Sequence, residues 1–203
     1  MTDELRMFCA YNSMTERQMR SLLDKNGITE KDLLLIDTIQ YPTTNSQFDS
    51  PYFNARTFCT QVNRVIKNSE NIYLPKYMVL FHGAGRSTEK DILDKGLLPT
   101  SSKRRRSYQS QNGYVYLASD FNKAFDFGML GNGGNISVFA VLVKTTELCI
   151  DTDQLNNKRA VSTESNLGYS LDIKNTLADS LWFGRSVRVR GKIEPYRLEL
   201  LKL

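Results

Sequence analysis

The chain has 203 residues, a net charge of +5, and 40% hydrophobic and 24% charged residues, a balance that suits a folded globular chain rather than a disordered one. No apolar run approaches the roughly 20 residues of a membrane helix, so no membrane segment is expected. MTDELRMFCAYN at the start has no basic stretch leading into an apolar one, so a cytoplasmic chain without a secretory signal is predicted.

In chain order, Ser13-x-x-Glu16 reads as a capping box for a helix with Met19, Leu22 and Leu23 on its inner side, stopped at Asn26-Gly27. Thr29-x-x-Asp32 is predicted to open a second helix through Leu33–Ile39, ended by Pro42. Ser50-Pro51 predicts a third, with proline at N1, running to Lys67. From Tyr77 the character changes, and short strands alternate with short helices. The predicted strands are 77–81, 114–118, 136–143, 148–150, 181–183, 187–190 and 196–203. Helices are predicted from Ser87 or Thr88 to Gly96, and from Ser119 or Asp120 to about Met129. Residues 151–178 read as polar and irregular. The predicted class is therefore α+β. An α-helical N-terminal region, 1–76, is suited to target recognition, and 77–203 forms a split, mostly antiparallel sheet with a cleft.

Three cysteines, Cys9, Cys59 and Cys149, lie far apart and form no cluster with zinc spacing, so reduced thiols and no metal site are expected. The single histidine, His82, ends an apolar strand and precedes Gly83. A glycine there lets a ligand approach the backbone closely, and the imidazole is placed to donate to a hydroxyl. Alternation puts Tyr114, Tyr116 and Ala118 on one strand face, where two tyrosines serve either packing or stacking. Two basic clusters, Lys103–Arg106 and Arg185/Arg188/Arg190, attract phosphate or an acidic partner, or simply face solvent.

Taken together, His82-Gly83, the ILDKGL of 92–97, the pattern GxxYLAxDxxxA from Gly113 to Ala124, the strand VFAVLV and SLWFGRSVRVR form one pattern. It resembles the ADP-ribosyltransferase superfamily, in its His-Tyr branch of diphtheria-type toxins and poly(ADP-ribose) polymerases. Rifampin ADP-ribosyltransferases and tRNA 2′-phosphotransferases share that core. The resemblance covers about residues 77–203 and is most specific over 80–127. It implies NAD as co-substrate. His82 is similar to the residue that holds the adenosine ribose, Gly83 to the one whose backbone clamps the carboxamide, and Tyr116 to the ring under nicotinamide. Phe127 falls where a second ring lies on the other side. A basic residue of the loop before Tyr114, Arg104, is placed to meet the pyrophosphate.

One departure stands out. The slot of the family's glutamate falls on Arg185 or Ser186, neither of them acidic. Ser186 can bond a hydroxyl, Arg185 is expected to turn away, and a carboxylate is sought from Asp179 or from Asp151 and Asp153. Polymer synthesis, which leans on that glutamate, is therefore not implied. What is implied is mono-ADP-ribosylation of a macromolecule, protein ahead of nucleic acid with both left open, and release of nicotinamide. A toxin or effector delivered into a host cell is compatible with that activity. A silent NAD- or ADP-ribose-binding or protein-interaction module and a tRNA 2′-phosphotransferase-like enzyme are the alternatives.

Overall fold

In the computed structural model the described residues are 1–35, 76–101, 110–130, 132, 134–164 and 173–201. Two N-terminal helices come first. Helix α1 (Asp3–Tyr11) is capped by Thr2, whose hydroxyl accepts from the Leu5 amide. Helix α2 (Glu16–Asn26) starts at a capping box formed by Thr15 and Gln18, not at Ser13, and ends on Gly27 in the left-handed region (φ 62°). The Thr2-Asp3-Glu4 start went unread in the sequence although its cap and acidic first turn signal a helix. Thr29 and Asp32 form the expected box, but only a 3-10 turn follows (Glu30–Asp32). Leu33 instead pairs with Tyr77 as a parallel bridge, so sheet hydrogen bonding takes the backbone that helix propagation would have used. The helix predicted from Ser50 to Lys67 lies outside the described residues.

The described sheet strands are β1 (Tyr77–Gly85), β2 (Tyr114–Ala118), β3 (Ile136–Lys144), β4 (Leu148–Ile150), β5 (Ser186–Arg190) and β6 (Leu198–Leu201). Between them run α3 (Glu89–Lys95), α4 (Phe121–Met129) and α5 (Thr152–Glu164). The strands form one antiparallel sheet in the order β4-β5-β2-β1-β3-β6, and the class is α+β. Several sequence expectations need correction. Strand β1 runs on to Gly85, so His82 lies within the strand rather than at its end. Thr152–Glu164 is helical, and Asp151-x-x-Gln154 is its start signal, with the Gln154 amide donating to Asp151 Oδ1 at 3.3 Å. Residues 180–184, expected in part as a strand, form a π-helical turn whose Leu181 and Trp182 pack into the core.

Pairing along β1–β3 runs from Tyr77↔Lys144 to Gly85↔Ile136, and along β2–β5 from Tyr114↔Arg190 to Ala118↔Ser186. By contrast β1 and β2 meet at a single pair, Phe81↔Ala118. The sheet therefore opens into a wedge bounded by residues 82–85 on one side and 114–117 on the other.

One face of the sheet carries the larger apolar core, with Leu80, Leu117, Phe139, Val141, Val187 and Val189 packed on Leu97, Trp182 and Ile193. On the opposite face the β1–β3–β6 half is covered by helices: Leu5, Phe8, Met19 and Leu22 pack with Val79, Phe81, Val138 and Leu142, joined by Phe121 and Ala124 of α4. Strand β3 is buried on both faces, which explains its uninterrupted apolar run. Helices α1 and α2 thus share a core with the sheet. Leu22→Ala should cost about 2–5 kcal/mol, with residues of both the N-terminal helices and the sheet melting in one transition. Loss of α2 structure without loss of the sheet, followed by hydrogen exchange, would contradict a shared core.

Candidate functional site

The wedge leaves the β1-facing edge of β2 without strand partners, and buried backbone carbonyls need donors. Thr100 supplies one donor: its amide donates to the Tyr114 carbonyl at 2.9 Å, while its hydroxyl proton is shared between the Gln111 and Tyr114 carbonyls. His82 supplies the other, with Nδ1 2.9 Å from the Tyr116 carbonyl oxygen. A carbonyl only accepts, so Nδ1 carries the proton, and in the neutral ring Nε2 is an acceptor. This revises the expectation from sequence: a ribose hydroxyl would donate to His82 rather than receive from it.

His82 and Tyr116 are thus adjacent across the opening. Their side chains leave the sheet on different faces. The pair Phe81↔Ala118 aligns Gly83 with Tyr116 on the helix-covered side, and His82 with Leu117 on the other. The imidazole then reaches sideways into the gap. The phenol of Tyr116 is fixed by the Gln111 amide, which donates to its hydroxyl at 2.7 Å.

Gly83 owes its lack of a side chain to α4. A Cβ there would run into the Ala124 carbonyl, and one on Gly128 would lie 2.7 Å from Ile136 Cγ2. The close approach made possible by Gly83 is therefore that of a helix, not of a ligand from the open side, while its backbone stands at the wedge. Phe127 is half-buried on the same helix, with Lys123 Nζ 4.5 Å from its ring centre. Lys123 is pushed below the usual lysine range by burial, then by the positive neighbours Arg185 and Lys158. Arg104 and the rest of Lys103–Arg106 lie outside the described residues.

The start of α4 is held by a polar cluster that the sequence alone did not disclose. Asp120, 0% exposed, caps the helix through the Lys123 amide (3.0 Å). It also accepts from the Ser119 hydroxyl (3.0 Å) and from Nε of Arg185 (2.9 Å), with Nη2 as a second contact. Buried Asn12, at the end of α1, accepts from the Phe121 amide at 2.9 Å. Arg185 occupies the left-handed region (φ 51°), unusual for a non-glycine residue. Its guanidinium turns toward Asp120.

Ser186, the next residue, pairs with Ala118. Its hydroxyl donates to Asp151 Oδ2 at 2.8 Å. Ser180 ties the pair down, with its Oγ accepting from the Asp151 amide (2.9 Å) and donating to the Ser186 carbonyl (2.6 Å). A buried carboxylate from the start of α5 therefore stands beside Ser186. Asp151 is 2% exposed. Burial pushes its carboxyl above the ordinary value of 3.8; the bonds from Ser186 and Gln154 oppose the rise, Asp153 adds to it, and Arg188 counters it. The sequence left the choice among three aspartates open. Asp179 is used elsewhere, its Oδ2 accepting from the Lys174 amide at 3.0 Å and its own amide donating to Thr176. Asp153 Oδ2 is buried without a hydrogen-bond partner. Among the described residues no cluster of His, Cys, Asp or Glu is arranged to hold a metal ion.

The sequence matches no protein-family model and no curated protein.

Two outcomes follow from this geometry. Arg185→Met leaves the buried Asp120 charge without its main partner and should destabilise by about 2–3 kcal/mol. Combined with Asp120→Asn, the loss should be smaller than the sum of the single changes in a double-mutant cycle. Asp151 binds its proton more tightly in the folded state than in the unfolded one. Its contribution to stability is therefore fully present below about 3.8 and is lost as the pH rises through the raised folded value. The melting temperature of Asp151→Asn relative to the parent should accordingly rise as the pH is raised from about 3.8 through the higher folded value. A difference that stays flat with pH would show that Asp151 titrates as an ordinary carboxyl.

Proposed function

We propose that the chain is an NAD-dependent mono-ADP-ribosyltransferase that moves ADP-ribose onto a macromolecular acceptor and releases nicotinamide. The wedge between β1 and β2 carries this proposal. It brings His82, the Gly83 backbone and Tyr116 to one opening, and the Ser186–Asp151 pair lies on the Tyr116 face, diagonally across β2 and β5. Diagonal neighbours on one sheet face lie about 7–8 Å apart, the scale of one ribose.

The residues suit the co-substrate chemically. Tyr116, held by Gln111, offers a fixed aromatic face to a cationic pyridinium ring, a contact worth on the order of 0.5–2 kcal/mol. Gly83 offers backbone groups to the carboxamide, and His82 offers an acceptor to a ribose hydroxyl. Lys123, close to Arg185 and Lys158, puts positive charge beside α4, where a pyrophosphate would be favoured. As the bond from ribose C1′ to the nicotinamide nitrogen breaks, its electron pair leaves with nicotinamide and positive charge grows on the ribose. A carboxylate at Asp151, oriented by Ser186, stabilises that charge. A bound pyridinium cation lowers the Asp151 carboxyl again and favours the ionised form that this role needs.

A second proposal has its own observation. His82 already satisfies the Tyr116 carbonyl, and Asp151 already caps α5. Both residues would persist in a silent module that binds NAD or ADP-ribose without turning it over.

Incubation with NAD distinguishes the two. Nicotinamide release is expected, with ADP-ribose added to protein or nucleic acid detectable by mass spectrometry. Tyr116→Ala and Asp151→Asn should each lower turnover at least about tenfold, as loss of a charge-stabilising or orienting group does. His82→Ala should do so with an added loss of stability, because the Tyr116 carbonyl is then unpaired. Calorimetric binding of NAD with no nicotinamide released would establish the silent module instead.

A further inference from the structure

The helix-covered face of the sheet is apolar only on its β1–β3–β6 half. Beyond the wedge, on β2 and β5, alternation gives the same face a different character: Tyr114 and Tyr116 stand opposite Arg190 and Arg188. The guanidinium of Arg188 lies over the Tyr114 ring, 4.4 Å from its centre. Its Nε and Nη1 are buried and have no hydrogen-bond partner. Arg190 is exposed at the end of the row. Buried guanidinium donors without acceptors are costly, and an arrangement that keeps them is explained when an anion supplies the acceptors.

We propose that this tyrosine–arginine face of β2 and β5 binds single-stranded nucleic acid, and that such a strand is the acceptor of the transferred ADP-ribose. The role as acceptor rests on the transferase proposal; the binding surface does not. Phosphates take the arginine donors, and bases stack on the ring and guanidinium planes, the combination used by surfaces that hold single strands. An acidic peptide would use the arginines but leave the aromatic faces idle. The aspartates Asp151 and Asp153 stand at the Ser186 end of the row and leave the Arg190 end to the phosphates. A strand lying along the row passes the Tyr116 ring, where the ribose carbon would be open to attack. There an oxygen or nitrogen of the strand forms the bond to C1′ as nicotinamide departs with the old bonding pair, and the proton of the attacking group passes to water.

The test uses the full chain without NAD and a fluorescent single-stranded oligonucleotide of about 12 nucleotides, followed by anisotropy at about 50 and about 200 mM salt. Binding is expected that weakens steeply with salt. Arg190→Glu, at an exposed position that leaves the melting temperature unchanged, should weaken it about tenfold or more, and Arg188→Gln should do the same. Absence of binding at the lower salt, equal binding by Arg190→Glu, or equally effective displacement by polyglutamate would each overturn the proposal. Oligonucleotide binding without nicotinamide release from NAD would uphold the surface and remove the transferase. Nicotinamide release with no oligonucleotide binding would do the reverse.

Discussion

The opening of the sheet between β1 and β2 governs the rest of the molecule. A continuous sheet would have paired residues 82–85 with 114–117 and left no room for a ligand between them. Opening it leaves two half-buried carbonyls of β2 without strand partners, and a carbonyl shielded from water without a donor is expensive. Thr100 and His82 meet that need. The one histidine of the chain therefore has a structural duty whatever else it does. The same bond places the proton on Nδ1 and makes Nε2 the acceptor in the neutral ring.

Around this opening the packing is tight on one side and polar on the other. Helix α4 lies so close to β1 that residues 83 and 128 have no room for a Cβ, and its start is anchored from two remote parts of the chain, Asn12 and Arg185. That anchoring sets where Lys123 and Phe127 stand relative to Tyr116. Across the wedge, β2, β5 and the start of α5 carry tyrosine, arginine and the buried Ser186–Asp151 pair. A rigid apolar half thus supports a half rich in chemistry, an arrangement in which a site can be held in place without being filled by the core.

Asp151 illustrates two demands on one side chain. As a helix cap it gains from being ionised, since the amides at a helix start favour negative charge. Buried beside Asp153, it loses by ionisation, and burial prevails. Its carboxyl therefore holds its proton more tightly than a free aspartate does.

Much of this protein follows from local sequence. The strand at 114–118, the helix at 121–129 and the strand at 148–150 are legible because period-two patterning, an aspartate cap and flanking turns all agree within a few residues. The nearness of His82 to Tyr116 follows from two strands that lie within one stretch of chain and are both legible in it. Helices α1 and α5 also carried readable caps, at Thr2 and Asp151. Tertiary structure alone decided the remainder. That Leu33 joins the sheet, that Asp151 and not Asp179 meets Ser186, and that Asn12 and Arg185 converge on α4 depend on contacts between residues far apart in sequence. Those contacts leave no periodic trace, since a hydrogen bond between distant segments constrains their meeting in space and not their neighbours along the chain.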